Sequence, residues 1–413
     1  MPAHADGDPT PTAGRALPAP RGSPRTRDTV GSLPAAASAP TPSPGFGIRT
    51  AWPALALYAG LRCVAVLVLW FAATAHGRDL GSVLGAWDGL HYVHIATHGY
   101  PTGLVFRPDG GLFDHDLAFF PLYPGLIAVL NPVLPGGALP AAILVSWAAG
   151  LAAAWGLYAV GACLRDRRTG VMLAGLWAVV PHAVVQSMTY TETLFTALAA
   201  WSLFALLRRQ WLTAGVLCLV AGLTRSTAVA LVAAVGLAAL IAVCRRRDGW
   251  RPWLAGVLAP LGWLGYVAWV GYRLGRADGY LYVQKSGWQV SYDFGRYTLA
   301  NLIYTLTRQR PLGFYVTTAV LVVALALLVL LVIDRTAWPL VVYTAVMIVA
   351  VVGYTGYYHV KARHLLPAFP LLLPIAYGLA AARWSRVVVV FLLLASASAW
   401  YGVYLCLFWT GSP

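Results

Sequence analysis

Apolar residues in this chain do not alternate with polar ones at strand spacing; they run on in long blocks separated by short polar stretches. A helix crossing a hydrocarbon core needs about 20 such residues, so each block is a candidate span. The blocks fall at 52–75, 139–163, 171–188, 191–207, 211–224, 226–244, 252–272, 313–333, 338–354, 365–382 and 387–409. They predict an all-α polytopic membrane protein with about 11 transmembrane helices. One further apolar piece, FFPLYPGLIAVLNPVL at 119–134, contains Pro121, Pro124 and Pro132 and runs into PGG. Proline removes a helical hydrogen bond, and a full crossing here would invert every later segment, so a re-entrant or interfacial segment is expected.

Residues 1–48 break the pattern. They hold ten of the 27 prolines, many small residues and almost no large apolar ones. Such a segment cannot bury a core, and it is read as a disordered Pro/Ala-rich cytoplasmic tail ahead of a membrane domain at 49–413. It is too long and too rich in proline for the leading part of a signal peptide.

Composition agrees with the membrane class: 59% hydrophobic, 10% charged, and a mean hydropathy of +0.69. The formal net charge of +15 does not point to nucleic acid, because the cations sit in short clusters between apolar runs. RDRR at 165–168, RRQ at 208–210, RRR at 245–247, Asp334-Arg335 and RWSR at 383–386 read as positive-inside signals. They place the N-terminus inside and the C-terminus outside, in a multi-pass protein of the cell membrane. The five cysteines lie within or beside apolar segments without paired spacing, which fits packing better than a disulfide framework or a zinc ribbon.

The same parity gathers polar stretches on the external face: 76–118, TET at 191–193, TRS at 224–226, 273–311 and TGYYHVKARH at 355–364. Charge beside membrane-embedded helices is costly and usually functional. AWDGLHYVHIATHGY at 86–100 predicts an external juxtamembrane helix, with Trp87, His91, His94, Ile95 and His98 on one stripe and Asp88 beside His91. The imidazoles suit a transition ion, but their spacing converges poorly; an interfacial helix with Trp87, Tyr92 and Tyr100 at headgroup depth explains His94 and His98 as well. Asp88 fits that reading less well. A single carboxylate can take the proton of an attacking hydroxyl, and a phosphate leaving group needs no second acid. The cations such a group requires are available externally as Arg225, Lys285, Lys361, Arg363 and Arg107, with the forked arginines Arg225 and Arg363 preferred. Glu192 is a candidate partner for Arg225 and a functional candidate itself, while Lys361 and Arg363 also suit interface anchoring. His364 lies next to them. Gln284 and Trp288, in the aromatic stretch 279–297, suit a sugar or interface packing equally.

WDGLHYVHIATHGY followed by AFFPLYP (118–124) resembles the first external loop of the PIG-V-like mannosyltransferase family, typified by GPI mannosyltransferase 2, within the GT-C superfamily. TETLF (191–195), TRST (224–227), QKSGW (284–288) and RHLLPAFPLLLP (363–374) extend the resemblance in order over about residues 50–410. It implies a GT-C-like fold. It also implies transfer of mannose from a polyprenyl-phosphate donor to a hydroxyl of a lipid, glycan or protein acceptor, with Asp88 as base and membrane lipids as surroundings. His91 is then expected to support Asp88 or the donor phosphate, and Trp87, Tyr92, Glu192, Arg225, Gln284, Trp288, Lys361, Arg363 and His364 to bind substrate. Many GT-C enzymes carry two adjacent acids in this loop. Here Trp87 precedes Asp88 and the next acids are Asp114 and Asp116, so a divalent metal held by Asp88 and Asp116 stays open. The competing reading is a transporter or flippase for a charged lipid or sugar, although no inverted repeat is visible.

Overall fold

The computed structural model describes residues 45–104, 106, 112–113 and 115–413. Residues 1–44 of the expected tail, Arg107 and Asp114 therefore lie outside the described residues. The helices are α1 (Ile48–Ala75), α2 (Leu80–Leu84), α3 (Asp88–His98), α4 (Leu122–Leu130), α5 (Ala138–Leu164), α6 (Arg167–Ala178), α7 (Glu192–Leu207), α8 (Trp211–Gly222) and α9 (Val229–Cys244). They continue as α10 (Arg251–Arg273), α11 (Gly279–Ser286), α12 (Arg296–Thr307), α13 (Leu312–Ile333), α14 (Trp338–Gly353), α15 (Lys361–His364), α16 (Leu373–Ala381) and α17 (Trp384–Val403). Among the described residues, pairing of extended chain is limited to two isolated bridges, Phe106 with Leu112 and Tyr292 with Tyr354.

Among the described residues, six helices are long and apolar enough to cross a membrane: α1, α5, α9 with its preceding turn, α10, α13 and α17 with its following turn. A bent pair, Tyr358–His364 with Phe369–Ala381 at 76°, makes a seventh if it is one broken span. The other expected spans are shorter helices: α6 and α8 have 12 residues, and α7 and α14 have 16. The reason is visible at 171–188. Helix α6 stops at Ala178, the chain turns at Pro181-His182, and a 3-10 turn at Ala183–Ser187 leads towards α7.

Such a break is tolerated inside a membrane protein only where protein satisfies the freed backbone. Arg62, buried on α1, does part of this. Its Nη1 donates to the Ala178 carbonyl (3.3 Å), and its Nε and Nη2 donate to Ser187 Oγ (3.2 and 2.7 Å). The Gln186 amide donates to the Trp177 carbonyl at 2.7 Å.

The proline-interrupted stretch 119–134 contributes only α4, nine residues long. At 1.5 Å per residue it reaches roughly 14 Å, under half of a hydrocarbon core about 30 Å thick. Helix α4 packs between α3 and α5, where the Tyr123 hydroxyl donates to the Ala142 carbonyl at 2.9 Å.

Basic clusters lie at helix ends that contact one another. Arg168 donates to the Ala382 carbonyl at 2.6 Å, Arg165 lies over the Tyr377 ring, and Arg209 pairs with Asp248 at 2.8 Å. Asp88, Glu192, Arg225 and Arg363 occupy the opposite ends.

Small residues let the helix backbones approach closely. A Cβ built on Gly262 of α10 falls 1.9 Å from the Leu219 carbonyl oxygen of α8, and one on Gly215 falls 2.8 Å from Ala255 Cα. Since that oxygen is backbone, Gly262→Ala must push α8 and α10 apart. We expect a loss of roughly 1–3 kcal/mol, read as a lower melting temperature in detergent, with Gly265→Ala as the control because no atom lies within 4 Å of its Cβ position.

Candidate active site

Local backbone chemistry brings Asp88 to the site. The Asp79 carboxylate accepts from the Ser82 N–H at 2.8 Å and caps α2. Trp87 adopts a φ of 61°, a left-handed value rare for a large side chain, and this reversal makes Asp88 the first residue of α3. Gly89 then lies against the segment leading into α7, where a Cβ would fall 1.9 Å from Thr189 Oγ1. The Thr189 N–H donates to the Leu84 carbonyl at 3.0 Å, so the first turn of α3 is held beside the first turn of α7.

Four charges meet there. Arg363 Nη2 donates to Asp88 Oδ2 at 2.9 Å, and Arg363 Nε lies 3.4 Å from Glu192 Oε1. Arg225 Nη1 reaches the same Glu192 oxygen at 3.1 Å. Two carboxylates and two guanidinium groups leave the group neutral, which offsets the desolvation each buried charge suffers. Asp88 is the most open of the four at 23% exposure, against 2% for Glu192.

Pairing is not saturated. Glu192 Oε2, Arg225 Nε and Nη1, and Arg363 Nε are buried with no hydrogen-bond partner among the described residues. The 3.1 and 3.4 Å contacts are thus charge pairs without hydrogen-bond alignment. Arg363 also donates to Ser412 Oγ at 2.9 Å and has its Cζ 4.9 Å from the Tyr190 ring centre.

Behind Arg363 a second chain of contacts runs to Lys361. His364 Nε2 lies 3.3 Å from Arg363 Nη2, and its Nδ1 lies 2.7 Å from the Tyr354 hydroxyl. Arginine only donates, so Nε2 is the acceptor and Nδ1 carries the imidazole proton. Lys361, expected as a phosphate ligand, is fully buried, and its Nζ donates to the carbonyls of Val351 (2.8 Å) and Tyr354 (2.6 Å). Its ammonium also sits 3.5 Å from the centre of the Tyr354 ring. Lys361 therefore clamps the end of α14, with its donors directed to main chain.

The other face of α3 carries a separate group. His91 and His94 each place Nδ1 at 2.7 Å from one oxygen of Asp116. Burial acts to raise the Asp116 carboxyl, but the two imidazole hydrogen bonds outweigh it and hold the group below its ordinary value. His91, expected to support Asp88 or the donor phosphate, has its Nδ1 on Asp116 and not on Asp88; its ring is stacked on Phe119 at 4.8 Å and met edge-on by Trp288 at 5.2 Å.

Other expectations also shift. Tyr92 is buried within the protein, with its hydroxyl 3.4 Å from Thr191 Oγ1. Gln284 donates to the Tyr280 hydroxyl (2.8 Å) and Trp288 to the His115 carbonyl (3.2 Å), so both brace the loop around α11. Trp87 stays exposed at the mouth of α3.

Asp88 and Asp116 are engaged by different partners, Arg363 and the histidine pair. Among the described residues, no group of three or more His, Cys, Asp or Glu side chains could hold a metal ion. The sequence reading missed Tyr190, Tyr354 and Ser412; the tyrosines flank motifs that were noticed, whereas Ser412 carries no signal.

No family model and no curated sequence matches the chain. Among solved structures it is similar to ArnT from Cupriavidus metallidurans in the apo state, at 14% identity and a TM-score of 0.51, over 84% of this chain and 63% of that one. ArnT bound to undecaprenyl phosphate gives 12% identity and 0.50, over 82% and 63%. The archaeal oligosaccharyltransferase AglB from Archaeoglobus fulgidus, in complex with an inhibitory peptide and a dolichol-phosphate, gives 14% and 0.44, over 87% and 56%. The chain thus spans about 63% of the ArnT length, and the likeness is one of fold.

The quartet itself generates a stability expectation. Glu192→Gln removes the shared anion and leaves Arg225 a buried unpaired cation, so stability should fall by roughly 3–5 kcal/mol. Melting in detergent checks this, and Glu192→Gln with Arg225→Gln should recover part of the loss; an unchanged single variant would contradict the pairing.

Proposed function

We propose that this protein is an integral-membrane glycosyltransferase that moves a mannosyl residue from a polyprenyl-phosphate donor to a hydroxyl acceptor on the external face. The observation that carries the reading is the buried quartet. One partly open carboxylate, Asp88, pairs with Arg363, which shares Glu192 with Arg225; the Nε donors of both arginines, and Nη1 of Arg225, have no hydrogen-bond partner among the described residues. Those donors suit phosphate oxygens, for which the arginine fork is the preferred ligand.

The chemistry follows from the placement. The acceptor O–H gives its proton to Asp88 as its oxygen forms a bond to the anomeric carbon. The bond from that carbon to the phosphate oxygen breaks, and polyprenyl phosphate leaves with its electron pair, its added charge balanced by Arg225 and Arg363. Attack opposite the leaving group inverts the anomeric centre. General-base help of this kind contributes typically 10²–10⁴-fold, and cations fixed in a dry site stabilise the developing anion further.

Two features support a lipid-linked donor. An apolar groove of about 560 Å³ is lined by Leu126, Leu130, Leu144, Ala148, Leu194 and Leu217, and Leu194 lies two residues from Glu192. It suits an isoprenoid chain. ArnT, which shares the fold, has been solved with undecaprenyl phosphate. Mannose as the sugar rests on the resemblance of the WDGLHYVHIATHGY and AFFPLYP motifs. The external placement rests on the basic clusters at the far helix ends, which the positive-inside rule assigns to the cytoplasm.

Membranes containing the protein, incubated with radiolabelled polyprenyl-phosphate mannose, should yield a labelled acceptor product. Asp88→Asn should lower that transfer by about 10²–10⁴-fold while the protein stays folded in membranes, with a lower melting temperature because Arg363 loses its hydrogen-bonded anion. Near-normal turnover by Asp88→Asn would remove Asp88 as the base.

A further inference from the structure

The external helix α3 carries a pair of histidines that the transfer reaction does not use. His94 and His98 are one turn apart on the same helix face, with ring centres 4.8 Å apart and planes inclined by 25°. His94 is 55% exposed at its side chain, and His98 is exposed as well.

The proton positions on both rings follow from their partners. Asp116 is a carboxylate that only accepts, so the His94 Nδ1 at 2.7 Å from it carries the proton. Thr97 Oγ1 lies 2.8 Å from His98 Nδ1, and it already uses its single proton on the helix carbonyls of Val93 (2.9 Å) and His94 (3.2 Å). His98 Nδ1 must therefore be the donor to Thr97. In the neutral form both Nε2 atoms are left with lone pairs, and among the described residues neither has a hydrogen-bond partner.

We infer that His94 and His98 form a two-imidazole site for a borderline divalent transition ion, Zn²⁺ or Cu²⁺, bound through the two Nε2 atoms with water at the remaining positions. Imidazole selects such ions over Mg²⁺ or Ca²⁺, which take oxygen ligands. The hydrogen bond from His94 Nδ1 to a carboxylate is the arrangement that commonly fixes a metal-ligating histidine and raises its basicity. Asp116 suits this role because it is nearly buried and tied on its other oxygen by His91. The site is distinct from the quartet: it uses neither Asp88 nor Arg363, and it stands whether or not the protein transfers sugar.

The test uses the full chain in detergent without a histidine tag. Calorimetric titration with Zn²⁺ should show one tight event, Mg²⁺ none, and Cu²⁺ electron paramagnetic resonance should show coupling to two nitrogens. His98→Ala, at the exposed end of α3, should weaken binding at least tenfold and reduce the coupling to one nitrogen. Asp116→Asn keeps both ligands yet should weaken binding about 10–100-fold. Equal affinity and an unchanged resonance spectrum in wild type and His98→Ala, or no Zn²⁺ uptake by the wild type, would overturn the site.

Discussion

Two guanidinium groups share one carboxylate oxygen, Glu192 Oε1, and the arrangement of the polar ends of this helical bundle depends on that contact. None of these charges is tolerable alone at such burial, because the loss of hydration exceeds any single attraction. Neutrality is reached only when four elements meet: the start of α3, the start of α7, the turn before α9, and α15. The electrostatic requirement therefore fixes where helices end. Helices α7 and α14 are shorter than a membrane crossing, and the segment between α14 and α16 is bent, so that polar side chains reach one another at depth.

The broken elements are held by main-chain chemistry rather than by more ion pairs. Arg62 closes the end of α6, and Lys361 closes the end of α14, each by donating to carbonyls that the helix leaves free. Both are buried cations without a carboxylate in hydrogen-bond reach among the described residues, and both serve architecture. The distinction from Arg225 and Arg363 lies in the acceptors: carbonyl oxygens are permanent partners, whereas a shared and poorly aligned carboxylate leaves donors over for an incoming anion.

Much of this was legible in the chain. Block hydropathy gave the helical membrane class, and the external polar stretches gave Asp88, Glu192, Arg225 and Arg363, because charges beside apolar runs stand out in any linear reading. Span length was less legible: 171–188 reads as one largely apolar block, and the turn at Pro181-His182, with the Ala178 carbonyl satisfied by Arg62 from α1, shows why the helix stops at Ala178. Partner choice was the least legible. Helical spacing put His91 next to Asp88, yet a nearby acid in the following loop, Asp116, offers both oxygens to His91 and His94 and wins. Ser412 was invisible because a contact with Arg363 across the fold leaves no local pattern.

The sharing of Glu192 also has an order in time. During synthesis the chain emerges from its N-terminus, so Glu192 and Arg225 are both present long before Arg363 is made, and they form a balanced pair on their own. Asp88 stands meanwhile at the most open position of the quartet, where water can serve it. Arg363 arrives last, and two carboxylates already in place provide it with a destination. The late segment is thus received by a bundle half that holds one balanced pair and one carboxylate still without its cation, and the arrival of Arg363 completes the neutral group.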